Sequence, residues 1–331
     1  HTDDTIEHVD ASSLEDWWLR FNDPTLNVLI DETLVSSPDR LIAEAKIAEA
    51  RGLRKTSRSA LFPQIGFSGS KGREDTGSNA VSYPDDFYEA GFDASFEIDV
   101  FGKNRNNASA ADSQLQAVED QYNDVSLTLI GEVARNYIDY RAAQNQLRIA
   151  QKNLKAQEET LKLVEDMFRL GSAPKLDVER TLNLVNTTRA SIPEYQRQTD
   201  NARLRLVVLT GKMPHELTET LQLDAEIPTS DALPVLMTPA QVLSARPDIR
   251  AAEANLNAST STRKATSAEI FPTFSLSGFY GFADNALAST VQPWNFAIGT
   301  AVSLLNFGRI EGRIDAAEAR AGRGHQLLAT R

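Results

Sequence analysis

The run from Tyr88 to Val100 alternates without interruption. Tyr88, Ala90, Phe92, Ala94, Phe96, Ile98 and Val100 fall on one side, and Glu89, Gly91, Asp93, Ser95, Glu97 and Asp99 on the other. A period of two predicts a strand with one apolar and one polar face. The run 294–305 repeats this more loosely: Trp294, Phe296, Ile298, Val302 and Leu304 share a side, with Thr300 interrupting. Segments near 64–72 and 273–282 alternate less cleanly and are the expected partner strands. Elsewhere the period lengthens to seven. Val133, Tyr140, Leu147, Leu154, Leu161 and Phe168 form one row, with Ala143, Ala150, Gln157 and Val164 half a heptad away. That is the narrow seam of coiled-coil-like packing, not the broad stripe of a globular helix. No proline lies between Pro84 and Pro174, and Gly131 is the only glycine between Lys103 and Leu170. A helix over 103–170 would be roughly 100 Å long. Gly171 ends it and Pro174 opens a return helix to 209, with Val178, Val185, Ile192 and Leu206 at the same spacing and Pro193 inside it.

The pattern occurs twice. Pro38, Asp39, Ala43, Glu44, Ala45, Arg54, Lys55, Phe62, Pro63, Ser68 and Gly69 each find the same residue 209 positions further on, from Pro247 to Gly278. Phe101-Gly102-Lys103 is answered by Phe307-Gly308-Arg309. Each copy reads helix, Phe-Pro break, strand, polar loop, strand, Phe-Gly break, helix, which is an internal duplication. The expected organisation is an N-terminal segment with a short helix over 1–37 and a first repeat over 38–210. That repeat holds strands near 64–72 and 88–100 and the helical hairpin 103–209. A connecting segment spans 211–246. The second repeat, 247–331, holds strands near 273–282 and 294–305 and the start of a further helix. The fold class is mixed α and β.

Composition removes several function classes. Among 331 residues the net charge is −12, so a basic face for nucleic acid is not expected. There is no cysteine, and the four histidines, His1, His8, His215 and His325, are scattered. Disulfides, thiolate chemistry and a histidine metal cluster are therefore not expected. No P-loop, dinucleotide fingerprint or nucleophile elbow is present, and neither an enzyme activity nor a cofactor is expected. No stretch approaches the ~20 apolar residues of a spanning helix, so a bilayer would have to be crossed by strands. The strands suit that: Phe92, Phe96, Ile98, Trp294 and Phe296 would face lipid, and Glu89, Asp93, Glu97 and Asp99 a watery lumen. The same alternation also suits a half-buried strand of a soluble sandwich, and heptads suit a plain stalk. The alternative is thus a soluble, elongated periplasmic coiled-coil adaptor or stalk protein.

Three motifs tip the balance. They are Trp17-Trp18-Leu19-Arg20-Phe21-Asn22-Asp23-Pro24-Thr25-Leu26, Val133-Ala134-Arg135-Asn136-Tyr137-Ile138-Asp139-Tyr140-Arg141, and Ala245-Arg246-Pro247-Asp248-Ile249-Arg250-Ala251-Ala252-Glu253 running on to Phe271-Pro272-Thr273-Phe274-Ser275-Leu276-Ser277-Gly278. Over roughly residues 14–320 the chain resembles the TolC-like outer-membrane factors of bacterial efflux and secretion systems, nearest the OprM and CusC branch. The resemblance implies a homotrimer in which each protomer gives four strands to one transmembrane β-barrel and its helices to a periplasmic α-barrel. Strand number argues alike: four strands leave two open edges, and single-chain barrels start at about eight. The family conducts substrates passively to the exterior, in partnership with a periplasmic adaptor and an inner-membrane pump. Its hairpin tips meet the adaptor, and the matching tip here is Leu170, Gly171 and Ser172. Many members of the branch carry a lipid on an N-terminal cysteine, so the resemblance allows an anchored native form. The family's second long hairpin and its gate have no counterpart in the residues after Gly308.

Overall fold

The computed structural model describes residues 16–75, 84–221, 225–229, 243, 245–285 and 288–329. Most of the expected N-terminal segment before Trp17 and most of the connection 211–246 therefore lie outside the described residues. A 3-10 turn, Trp17–Phe21, leads into α1, Pro24–Ser36. The next elements are α2 (Pro38–Ser59), β1 (Gln64–Asp75) and β2 (Pro84–Ile98). Two long helices, α3 (Lys103–Arg169) and α4 (Lys175–Thr210), precede the short α5 (Pro214–Leu221). The second repeat supplies α6 (Pro247–Ser267), β3 (Thr273–Asn285), β4 (Ala288–Val291), β5 (Trp294–Ala301) and α7 (Arg309–Ala329).

The chain forms two compact units. One comprises His1–Glu44 and Tyr122–Ala245, the other Ala45–Gln121 and Arg246–Arg331. In the first, Leu26, Leu29 and Ile30 of α1 pack with Val133, Tyr137 and Tyr140 of α3 and Leu206 of α4, and Trp18 closes the cluster. Asp23 explains why α1 begins where it does: its carboxylate accepts from the amides of Thr25 (2.8 Å) and Leu26 (3.0 Å), and Pro24 takes the first helical position. Further along α3 and α4, burial follows the heptad. Leu147, Ala150, Leu154, Gln157, Leu161 and Val164 are covered, wholly or in part, and so are Val178, Val185, Ile192 and Leu206 of the returning helix, whereas Phe168 at the end of the row is 45% exposed. Arg189 of α4 meets Glu158 of α3 at 2.6 Å, and Arg205 meets Asn136 at 2.7 Å, so the helices run antiparallel. Helix α4 continues through Pro193.

A charge lies inside this unit. Arg141 is 1% exposed, and its Nε donates to the Tyr137 hydroxyl (3.0 Å), which donates in turn to Asp23 (2.8 Å). A second branch runs from Arg141 to Gln144 (2.9 Å), from Gln144 to the Tyr140 hydroxyl (2.8 Å) and on to the Leu221 carbonyl (3.3 Å). Burial raises the pKa of both tyrosines against the opposing pull of Arg141, so both keep the protons they donate. Tyr137→Phe strands the Asp23 carboxylate and the Arg141 guanidinium of one bond each, a loss of about 1–3 kcal/mol. The expected result is a lower thermal midpoint in detergent, with a smaller drop for Tyr140→Phe. A midpoint unchanged in Tyr137→Phe would show that the branch through Asp23 carries no stability.

In the second unit all strands pair antiparallel, β1 with β2, β2 with β3, and β3 with both β4 and β5. The fourth strand is therefore split in two. Pro293 lies between the pieces and has no N–H for the ladder, but its carbonyl still accepts from the Gly281 amide at 3.1 Å. The duplication is visible in the backbone. Gly102 and Gly308 take positive φ, 78° and 84°, just before α3 and α7 begin. Phe101 of the first Phe-Gly break stacks on Phe271 of the second Phe-Pro break at 4.5 Å. Helix α6 buries Ala251, Ala254 and Ala258 and α7 buries Ile310 and Ala317, and Arg263–Glu318 (3.4 Å) pairs the two helices while Arg313 of α7 meets Glu269 just past α6 (2.6 Å).

Candidate functional site

The register decides which side chains share a face. Phe67 lies opposite Phe92, Phe92 opposite Tyr280, and Tyr280 opposite Trp294, so one row of aromatics crosses four strands. They are 69%, 58%, 55% and 74% exposed. The rings of Phe67 and Phe92 meet edge to face at 5.4 Å. Neighbouring rows continue the face with Ile65, Ala94, Gly278 and Phe296, then Phe96, Leu276 and Ile298, then Ile98 and Phe274. At one end Lys71 stands over the Tyr88 ring at 5.0 Å, with its stem on the apolar face and a charge to carry outward. The opposite face holds Gln64, Ser68 and Ser70 of β1, Glu89, Asp93, Ser95 and Glu97 of β2, Ser275 and Ser277 of β3, and Asn295 of β5.

All five residues expected to face lipid lie on the first face. Three of the four expected lumen residues, Glu89, Asp93 and Glu97, lie on the second. Asp99 does not continue their row. The strand stops at Ile98, and the Asp99 carboxylate accepts from the amides of Asn104 (3.0 Å) and Arg105 (2.8 Å), capping α3. Alternation alone could not show this, because the polar parity persists past the last ladder bond. Val302 and Leu304 likewise lie beyond β5, and Glu97 pairs with Lys103 at 2.8 Å.

At the far end of α3 the chain turns on Gly171, whose φ is +75°. Its amide donates to the Phe168 carbonyl (2.9 Å), and the Ser172 amide reaches back to Met167 (2.8 Å). This double closure needs a left-handed residue at its centre, which glycine supplies without strain. Leu170 is 81% exposed at the apex. An open groove of about 880 Å³ between α3 and α4 is lined by Arg135, Asp139, Leu204, Arg205 and Val208 among others, the first two from the Val133–Arg141 motif. Among the described residues no group of three or more His, Asp or Glu side chains gathers to hold a metal ion.

A strand ladder with a broad exposed apolar face, joined by tight breaks to long heptad helices, defines a membrane channel subunit. Residues 29–212 and 238–331 match the family described as outer membrane efflux protein. The chain belongs to that family, the TolC-like outer-membrane channels, which are not enzymes. It is 32% identical to the pyoverdine export outer membrane protein OpmQ of Pseudomonas aeruginosa, over 94% of this chain and 68% of that one. It is 30% identical to the cation efflux system protein CusC of Escherichia coli K12, over 92% of this chain and 67% of that one. Among solved structures, the outer-membrane channel OprN superposes with a TM-score of 0.86 at 31% identity, over 95% of this chain and 72% of that one. The chain thus spans about two thirds of the curated relatives' length.

Proposed function

We propose that the chain is one protomer of a homotrimeric outer-membrane duct in a tripartite efflux system, passing substrates passively to the exterior from a periplasmic adaptor and an inner-membrane pump. The sheet carries this reading. One face is a continuous exposed apolar surface, the other is mostly polar, with Phe87 and Phe279 among its residues, and the outer edges of β1 and of β4 and β5 have no partner among the described residues. Lipid cannot satisfy a free strand edge, so closure falls to neighbouring copies. In this reading Phe92, Phe96, Ile98, Trp294 and Phe296 contact lipid, Glu89, Asp93 and Glu97 line the lumen, and Leu170, Gly171 and Ser172 form a tip for the adaptor. A soluble stalk would need that apolar face covered. OpmQ and CusC bear names of different cargoes, so the relatives leave the substrate open.

The chain has no cysteine, which makes edge cross-linking clean. With one cysteine on β1, at Ser68, and a series along β5 at Asn295, Ala297 and Gly299, oxidation in membranes should give a ladder ending at three chains. A protein that stays monomeric and soluble without detergent would sink the proposal. Glu89→Asn and Asp93→Asn should leave that ladder intact and lower cation preference in single-channel recordings.

A further inference from the structure

Glycines on the two faces of the sheet are treated differently. On the polar face a Cβ added to Gly66 would sit 2.7 Å from the Asp93 carboxylate, and one added to Gly72 would sit 2.5 Å from the Phe87 ring. Gly91 and Gly281 lie beneath the Phe279 ring, at 2.6 and 2.8 Å, and Gly299 lies beneath the Ser275 hydroxyl, at 2.9 Å. On the apolar face, Gly69 and Gly278 meet only backbone, at 3.9 and 3.5 Å. The register shows how this arises. Asp93 stands directly opposite Gly66, Phe87 opposite Gly72 and Ser275 opposite Gly299. Gly91 faces Gly281, two residues along β3 from Phe279.

Asp93, Phe87, Phe279 and Ser275 on the polar face therefore lie down across the neighbouring strand instead of projecting from it. Aromatic rings seated on glycine recur where a sheet curves, and crowding falls on the concave side. The concave side of a closing barrel is its interior. We infer that these glycines are seats that keep the inner wall low, and that Phe87 and Phe279, held flat on them, set the bore available to cargo. The inference rests on the polar face being the lumen.

Gly72 gives the cleaner test, since a Cβ there meets only the movable Phe87 ring, whereas Gly91 and Gly281 also press on backbone. The reading is the largest neutral polyethylene glycol that enters reconstituted channels from the extracellular side. Gly72→Ala should shift this cut-off to a smaller polymer by raising the ring. The double variant Gly72→Ala with Phe87→Ala, which removes the ring, should bring it back at least to the parent value. Gly66→Ala with and without Asp93→Ala repeats the test on a carboxylate, should Gly72→Ala assemble poorly. An unchanged cut-off in both glycine variants, or no recovery in the doubles, overturns the inference. Ser277→Cys separates the premise: failure of a membrane-impermeant thiol reagent to label it would show that the polar face is not the lumen.

Discussion

Phe92→Arg is expected to abolish barrel assembly. Phe92 sits at the centre of β2 and of the aromatic row from Phe67 to Trp294, more than half exposed on the apolar face. A mid-bilayer arginine on a lipid face costs roughly 2–4 kcal/mol, and a trimer meets that cost on three strands at once. The lost ring contact with Phe67 adds to it. Phe96→Arg lies nearer the end of the strand and should do less damage. The measurement is heat-modifiable trimer recovered from membranes. It should vanish for Phe92→Arg and persist for Glu89→Asn and Asp93→Asn, two substitutions on the same strand whose side chains face the other way. Equal loss from both sets would mean that the faces are wrongly assigned.

The second large effect is expected at the hairpin tip. Gly171 holds φ +75° while donating to Phe168, and nothing lies within 4 Å of a Cβ placed there. Space is not what excludes a side chain; the left-handed backbone is, at roughly 1–2 kcal/mol for an ordinary residue and more for a β-branched one. Gly171→Val should therefore distort the apex locally and leave the remote core intact. Leu170→Asp keeps the turn and replaces an exposed apolar contact with a charge. Both should abolish efflux in a drug-susceptibility assay in cells lacking their own duct, with trimer content unchanged. Gly171→Asn, which tolerates the turn, should lose less. If transport survives Gly171→Val and Leu170→Asp alike, the adaptor docks elsewhere.

Much of this was legible in one dimension because it is set locally. Alternation at 88–100, the heptads from Val133 to Phe168 and the Phe-Pro and Phe-Gly breaks each depend on a few consecutive residues, although β2 runs from Pro84 to Ile98 and β5 ends at Ala301. The duplication was equally plain, since it is a comparison of the chain with itself. What sequence left open depends on which strand or helix lies alongside. Asp99 kept the parity of a lumen residue, but the start of α3 claimed its carboxylate. The fourth strand divides because Pro293 cannot donate to β3, a penalty that exists only once β3 is its neighbour. Arg141 closes the Val133–Arg141 motif in the sequence, but only the fold seals it within the first unit beside Tyr137, whose hydroxyl donates to Asp23 far back in the chain. The glycine seats are the clearest case. Nothing in the sequence singles out Gly66, Gly72, Gly91 and Gly281, and only the pairing of β1, β2 and β3 brings Asp93, Phe87 and Phe279 over them. Periodicity belongs to the chain by itself. Register, and with it the contents of each face, belongs to the assembled sheet, where packing across strands outweighs any preference within one.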